Sequence, residues 1–480
     1  MHTPVKTPER TRGKLRRPES NDTMDYPPIN KLERLLGKPA SAWAVEDLLR
    51  LCREQNIQML SLMHVGGDGW LKTLDFVPQD ETHFRNILAG GERADGSSLF
   101  GGSGIKVGAS DILLRPRIES AFLDPFAECP VLVFLCGHYT RTGEPLPESP
   151  DTIVRCAAGR LKSVEGVDLY AHAEVEYYLG KRRDESDIYG TDDRGYHASS
   201  PFVFGEALRR EALLLLAEIG VPIKYGHAEV GYVESGSQND WLWEQHEIEL
   251  ALQPLPRAAE SVVLTHWVLR NLAQQRDFQC SFAPVLVKGH AGSGMHFHLS
   301  PLVHGEFIAP IQDNKAPGDA ARWLIGGLVK HGGTLMAFGN RADSSFLRLS
   351  QAKEAPNTVT WGRFDRRALV RLPIVARDEH GRQVTPQTIE FRLPDGSAHP
   401  HLLLAAIAQA MTGAKTLPDL DKLIAATAAE HGGRHRQMST IPQSRAEIAD
   451  RLHEDRRMLE AGDVFPSGML DSLIESFQRP

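Results

Sequence analysis

Three side chains capable of chemistry alternate in Gly292-Ser-Gly-Met-His296-Phe-His298-Leu-Ser300. Successive side chains of a strand point to opposite faces, so His296, His298 and Ser300 share one face. Gly289, Gly292 and Gly294 lead into them, and glycines let backbone approach a ligand closely and offer N–H groups to an anion. A His-x-His pair is commonplace on a strand; its acidic company makes this one informative. Ala173-Glu174-Val-Glu176-Tyr-Tyr puts two carboxylates on one strand face, where like charges repel unless a cation lies between them. His227-Ala-Glu229-Val, Glu244-Gln-His-Glu247-Ile-Glu249 and Ile389-Glu390-Phe-Arg392 bring further carboxylates on strand-like runs. Glu174, Glu176, Glu229, Glu247 and Glu390 with His296 suit a hard divalent cation, Mg²⁺ or Mn²⁺. Arg348, Arg366, Arg371 and Arg392, also read as strand positions, supply forks that grip carboxylate or phosphate. A cation cluster beside an anion-friendly loop calls for phosphate, so the residues describe a site for a nucleotide phosphate and a carboxylate substrate.

The rest of the chain has to position these groups. At 480 residues, 41% hydrophobic and 24% charged, it has the composition of a globular protein of two or three domains. Its net charge of −8 argues against a nucleic-acid partner for the body of the chain, and its longest apolar runs are too short for a membrane span. Five scattered cysteines without C-x-x-C spacing indicate neither a disulfide framework nor a zinc site and read as reduced core residues. No apolar signal core is seen, which makes the cytoplasm the expected address.

Residues 1–28, rich in Lys, Arg, Pro, Ser and Thr, read as a disordered basic tail. Residues 29–148 read as a small mixed α+β unit: helices at 44–54 and 82–88, strands at 59–64, 70–77, 111–114 and 131–136, and a flexible loop at 95–104. From 149 to 480 helices are expected at 152–164, 206–219, 258–275, 319–330 and 401–411. Strands are expected there at 169–179, 227–233, 246–252, 283–286, 295–300, 368–373 and 388–393. Ser444 and Glu447 stand at capping-box spacing before a C-terminal helix.

The motifs, taken in order, resemble those of glutamine synthetase: Asp95-Gly-Ser-Ser98, Glu174-Val-Glu176, Gly195-Tyr196, His227-Ala-Glu229-Val, Gln245-His-Glu247-Ile, Gly292 to Ser300, Glu354-Ala-Pro356, and Glu390-Phe-Arg392-Leu-Pro-Asp-Gly-Ser-Ala. The resemblance runs from about residue 30 to the C-terminus. It implies an α+β protein in which an N-terminal β-grasp-like domain precedes a catalytic α/β domain with a curved antiparallel sheet. It implies two or more Mg²⁺ or Mn²⁺ ions per active site, one held by Glu176, Glu229 and Glu247, another by Glu174, His296 and Glu390. Arg348, Arg392 and Gly292 match positions that hold glutamate. His298, Ser300 and Arg371 match the ATP side, and Arg366 with Arg371 flank the transferring phosphoryl group. Asp95, Ser98, Tyr196, Glu229 and Glu354 match an ammonium pocket, with Asp95 as base and Glu354 on a flap at 351–359. The reaction implied is ATP-dependent ligation of ammonia to the γ-carboxylate of L-glutamate through γ-glutamyl phosphate. The assembly implied is a homo-oligomeric ring, typically a dodecamer, with Asp95 serving the neighbouring subunit.

The chain departs from the pattern in places. Ala291 stands where Asn is usual, Ala228 where a second His is usual, and Phe346-Leu347-Arg348 replaces Tyr-Lys-Arg. A longer segment, 231–244, leaves Glu244 and Glu249 as alternatives to Glu247. These changes keep open a γ-glutamyl ligase that takes an amine or polyamine. A non-catalytic assembly protein would have no need of the full carboxylate set, and a His-x-His metal hydrolase would have no use for paired Glu174 and Glu176.

Overall fold

The structure is a computed structural model that describes residues 28–101, 105, 110–183, 193–234, 241–308, 317–351, 355–429 and 441–479. The basic tail up to residue 27, and Glu354, lie outside the described residues.

Six strands form the N-terminal sheet: β1 (Met59–Val65), β2 (Leu71–Phe76), β3 (Glu92–Asp95), β4 (Asp111–Pro116), β5 (Phe122–Leu123) and β6 (Val131–Tyr139). Their order is β2-β1-β6-β4-β3 with β5 on β6, and the β1/β6 pair is parallel. Alternation gives this sheet two apolar faces. Leu60, Leu62, Leu132 and Phe134 pack with Leu32, Leu48, Leu51 and Phe84 from the local helices, whereas Met63, Val131, Val133 and Leu135 join the main core.

The second sheet is built from β7 (Val167–Arg182), β8 (Ile223–Glu234), β9 (Trp241–Leu250), β10 (Gln253–Pro254), β11 (Gln279–Ser281), β12 (Met295–Val303), β13 (Glu306–Phe307), β14 (Trp361–Arg363), β15 (Val370–Leu372) and β16 (Ile389–Phe391). Its main path is β14-β15-β16-β12-β7-β9-β8, antiparallel except for the β14/β15 pair. Ala171, Ala173, Val175, Tyr177 and Leu179 of β7, with Met295, Phe297 and Leu299 of β12, face the core. Against that face lie helices Pro150–Glu165, Leu255–Gln274, Asp319–Gly339 and Pro400–Ala414. The last is apolar nearly all round and almost wholly buried, as such a pattern requires. The opposite face of β7, β9 and β12 carries the ionisable residues. This curled mixed helix and sheet architecture agrees with the fold class expected from the motifs.

Several local expectations need correction. No strand forms at 283–286; that stretch is loop, and Ser293 donates its N–H to Pro284 O at 3.0 Å. Arg348 lies on helix Ser344–Ser350 and Arg366 in a turn, so neither is a strand residue. Cys156 is exposed on its helix, while Cys136 is buried; all five cysteines are free. The 95–98 part of the expected flexible loop is ordered, with Asp95 closing β3 and capping the short helix Gly96–Leu99. The long segment 231–244 extends β8 to Glu234 and starts β9 at Trp241, with 235–240 outside the described residues.

Arg117, just past β4, ties the N-terminal sheet to two helices of the larger core. Its guanidinium lies 3.1 Å from Asp151 and also pairs with Glu260, and Arg155 bridges the same two carboxylates at 2.9 and 3.3 Å. Removing one partner of a buried charge network leaves the others uncompensated, at a cost of about 3–5 kcal/mol. Arg117→Ala is therefore expected to lower unfolding free energy by about 3 kcal/mol, read by chemical denaturation; Arg117→Met losing less than about 1 kcal/mol would show the pairing to be incidental.

Candidate active site

Strand register assembles the site. His172, Glu174 and Glu176 alternate on the face of β7 turned away from the core and toward the cavity. Across β12, His298 stands opposite His172 and His296 opposite Glu174; across β9, Glu249 stands opposite Glu174 and Glu247 opposite Glu176. β16 adds Glu390 beside His298, and β8 adds His227 beside Glu247. The result is a ladder of carboxylates and imidazoles across five strands. All of these except Glu390, which is fully buried beside Arg371 and Arg392, line a cavity of about 850 Å³.

β8 reaches this ladder through an irregularity. Its pairing with β9 jumps from Ala228/His246 to Tyr232/Glu244, so Glu229, Val230 and Gly231 face Gln245 alone. Bulges re-aim side chains next to sites; here Glu229 turns toward His227 and Glu247, whose ligand atoms lie within 4.8 Å of its own. The neighbouring loop follows the bulged strand, with Gly195 N–H on Val230 O at 3.2 Å and His197 N–H on Ala228 O at 2.9 Å. Tyr196 is thereby set against the His227 ring, 5.4 Å between centroids.

Glycine is required at Gly294. A Cβ there would stand 2.6 Å from His296 Nε2 and 2.9 Å from Arg348 Nη2. Its N–H donates to Glu176 Oε2 at 2.8 Å, so this glycine serves a carboxylate of the chain itself. His296 is fixed at both nitrogens, Nδ1 2.8 Å from Glu174 Oε2 and Nε2 3.3 Å from Arg348 Nη2. His298 Nε2 lies 2.9 Å from Glu174 Oε1, and its Nδ1 lies 2.7 Å from the Thr388 hydroxyl.

The charges compensate unevenly. Burial pushes the Glu176 carboxyl up to about 8, with Glu229 adding repulsion. Burial and the surrounding carboxylates raise Glu247 as well. Burial opposes the charge on Glu174 too, but His298 and His296 outweigh it and hold this carboxyl well below the usual range. For Glu390 burial is outweighed by Arg392, which contacts it directly while Arg371 lies 2.8 Å from its other oxygen. Burial and Arg392 bring His296 down to about 4, leaving a neutral imidazole able to ligate. The donor set, carboxylates with one neutral imidazole, fits hard divalent cations. Glu174, Glu390 and the neighbouring histidines form one group of donors, and His227, Glu229 and Glu247 form another.

Of the residues expected from sequence, Glu174, Glu176, Tyr196, Glu229, Glu247, His296, His298, Arg366, Arg371 and Arg392 line the cavity. Arg348 is buried behind it, with Nη1 on Leu393 O at 3.0 Å, and Gly292 accepts from Gln245 Nε2 at 3.0 Å. Ser300 is fully buried, its hydroxyl bonded to Gln387 O at 3.3 Å, and does not line the cavity. Asp95 and Ser98 are not brought to the cavity of their own chain; Ser98 donates to Asp95 at 2.6 Å, and the serines around Asp95 hold its carboxyl low. Ala291, at the departure from Asn, offers its carbonyl to the Tyr178 hydroxyl at 2.7 Å. Glu244 faces the other side of β9, accepting from Phe204 N at 2.9 Å and contacting His246 at 2.7 Å, which removes it as an alternative to Glu247. Glu249 lines the cavity together with Glu247, and His172 and His227, absent from the expected set, line it too. The alternation that revealed Glu174 and Glu176 extends back to His172 and would have found it.

Residues 148–478 match the family profile described as glutamine synthetase, catalytic domain. The chain belongs to the glutamine synthetase family. A glutamine synthetase from Frankia alni is 28% identical over 470 residues, covering 90% of this chain and 94% of the relative. The fold is similar to the Plasmodium falciparum glutamine synthetase structure, with a TM-score of 0.74 and 18% identity over 91% of this chain and 95% of that one. It is also similar to ligand-free GmaS, with a TM-score of 0.70 and 18% identity over 90% of this chain and 94% of that one. Among the described residues no helix is long and apolar enough to cross a membrane.

The raised Glu176 carboxyl gives a pH signature with a definite sign. The native chain keeps this proton between about 4.5 and about 8, whereas the unfolded chain loses it, so without metal this group lowers stability as pH rises through that window. Divalent cations displace the proton, and their affinity is expected to climb over the same window. Glu176→Gln is expected to raise the metal-free melting temperature at pH 8 relative to the parent, and to abolish much of the gain that Mn²⁺ gives. A parent protein whose Mn²⁺ affinity is flat from pH 6 to 8 would contradict this assignment.

Proposed function

We propose that this chain is an ATP-dependent ligase that activates the γ-carboxylate of L-glutamate as γ-glutamyl phosphate and joins it to ammonia, giving glutamine. The observation that carries the reading is the convergence of the carboxylate ladder with Arg366, Arg371 and Arg392 on one cavity. Glu176, Glu229 and Glu247 would hold one Mg²⁺ or Mn²⁺ ion and Glu174, His296 and Glu390 another; such ions neutralise charge on phosphate oxygens. Arg348 and Arg392 would orient glutamate, beside the backbone of Gly292. Arg366 and Arg371 would stabilise the charge on the phosphoryl group in flight, with His298 on the nucleotide side. Excluding water matters because an acyl phosphate hydrolyses, a task assigned to Glu354 on its flap.

The acceptor must lose a proton before it attacks, and Asp95 is the proposed base. Because Asp95 and Ser98 lie away from their own cavity, this role requires them to enter a neighbouring subunit's site, which supports a homo-oligomeric ring, a dodecamer by family precedent. Within one chain only Tyr196 and Glu229 of the described acceptor residues reach the cavity, and Tyr196 is half exposed. That openness favours a second reading, in which a small amine or polyamine replaces ammonia.

The test is metal-dependent phosphate release from ATP with glutamate, comparing ammonium with a panel of amines and following ¹⁸O from the γ-carboxylate. Transfer of label to phosphate, with turnover strongest on ammonium, is expected. Turnover confined to a larger amine would establish the second reading, and no label transfer with any acceptor would overturn both. Arg348→Ala is expected to raise KM for glutamate at least about tenfold, the loss of one buried charge-assisted contact; an unchanged KM would remove Arg348 from the glutamate site.

A further inference from the structure

One rung beyond Glu176 and Glu247 the ladder changes character. There Tyr178 of β7 stands opposite Gln245 of β9, and both are buried. Alternation puts Tyr178 on the face of Glu176 and Gln245 on the face of Glu247. Gln245 Nε2 lies 3.2 Å from Glu176 Oε2, 3.0 Å from Gly292 O and 3.3 Å from Ser293 Oγ, and its Oε1 accepts the Gly231 N–H at 3.1 Å. These partners leave the amide one orientation: a carbonyl only accepts and a backbone N–H only donates, so the nitrogen faces Gly292 and the oxygen Gly231. The Tyr178 hydroxyl donates to Ala291 O at 2.7 Å. A Cβ on Gly231 would collide with Tyr178 Oη and stand 2.6 Å from Gln245 Oε1, so this rung closes only over a glycine.

The amide joins two parts of the site. On one side are carboxylates proposed for an ion. Gln245 and the Gly294 N–H hold Glu176 by the same oxygen, Oε2, the latter at 2.8 Å, which leaves Oε1 available to a cation. Gly231 lies in the bulge that turns Glu229. On the other side is the loop proposed to receive glutamate. Residues 291–293 are Ala, Gly and Ser, with no side chain long enough to anchor them, so their place is set by what grips them. Tyr178 holds Ala291 O, Gln245 holds Gly292 O and Ser293 Oγ, and Pro284 O accepts the Ser293 N–H at 3.0 Å.

Given the ion and glutamate assignments above, on which this rests, we propose that Gln245 is a positioning residue that makes cation and glutamate binding cooperative. An ion that gathers Glu176 and Glu229 fixes the amide from both ends, and the amide fixes Gly292 and Ser293 for the amino acid. Its two N–H groups are shared among three acceptors, so what Glu176 takes determines what the loop receives. Gln245 acts through Glu176 and Gly292 and needs no contact with ion or substrate. By linkage the effect is reciprocal: the factor by which the cation tightens glutamate is the factor by which glutamate tightens the cation.

Calorimetric titration of the full chain with glutamate, with and without saturating Mn²⁺, tests this. In the parent Mn²⁺ is expected to tighten glutamate about tenfold, and in Gln245→Met no more than about twofold. Gln245→Glu keeps the size and the Gly231 contact but has no amide N–H. It is expected to hold Mn²⁺ at least as tightly as the parent and yet to show the same loss of coupling, which a general loosening of the fold would not produce. Tyr178→Phe, which releases Ala291 O alone, is expected to weaken glutamate equally with and without Mn²⁺ and to keep the parent's ratio. A Gln245→Met or Gln245→Glu protein that melts as a folded chain and retains the parent's ratio overturns the proposal, as does a parent that binds both ligands independently. A parent that binds no glutamate at any Mn²⁺ level sinks the ligase reading itself, and the proposal with it.

Discussion

Carboxylates placed two residues apart on one strand, and again on its neighbours, cannot all be ionised when buried unless opposite charge stands among them. Everything in the larger sheet follows from that constraint. Glu174 is offset by His298 and hydrogen-bonded by neutral His296, Glu390 is offset by Arg371 and Arg392 and Glu249 by Lys224, while Glu176 keeps a proton. Each solution is a local substitute for the cations that such a donor set attracts. A protonated Glu176 and a repelled Glu247 mark where substitution is least complete, and these are two of the three residues proposed for one ion.

The fold supplies the scaffold for this arrangement cheaply. One face of β7 and β12 is alanine, valine, leucine and aromatic, sealed by helices, so the opposite face is free to carry charge without costing core packing. The bulge in β8 then does what regular pairing cannot, turning Glu229 toward Glu247 and giving the 193–198 loop a strand edge to follow. Arg117 locks the N-terminal sheet onto the same helices, which fixes where Asp95 is carried relative to the larger sheet. That placement keeps Asp95 from the cavity of its own chain.

Period-2 alternation makes the central strands readable from residues alone: Glu174 with Glu176 and His296 with His298 fall on one face as expected, and the long apolar helices start close to where their spacing puts them, although the one expected at 319–330 runs on to Gly339. Reading failed where backbone departs from regular geometry. The apolar stretch 283–286 has strand composition but contains Pro284, which has no N–H for a ladder, and it runs as loop. The sequence places Arg348 on a strand, since charged residues give weak period signals in short elements; it sits on a seven-residue helix. The choice among Glu244, Glu247 and Glu249 depended on which face of β9 points inward, and the register answers it by sending Glu244 to the back and keeping both others. The Lys224–Glu249 pair is not legible in the sequence because its members lie 25 residues apart on different strands.

The most direct test of the central claim, that this ladder exists to hold divalent cations, is anomalous diffraction from crystals grown with Mn²⁺. Two peaks are predicted within coordination distance, about 2.0–2.6 Å, of ladder oxygens, one among Glu176, Glu229 and Glu247 and one among Glu174, His296 and Glu390. Crystals that show no Mn²⁺ at these carboxylates at pH 8, with the fold intact, would contradict the account.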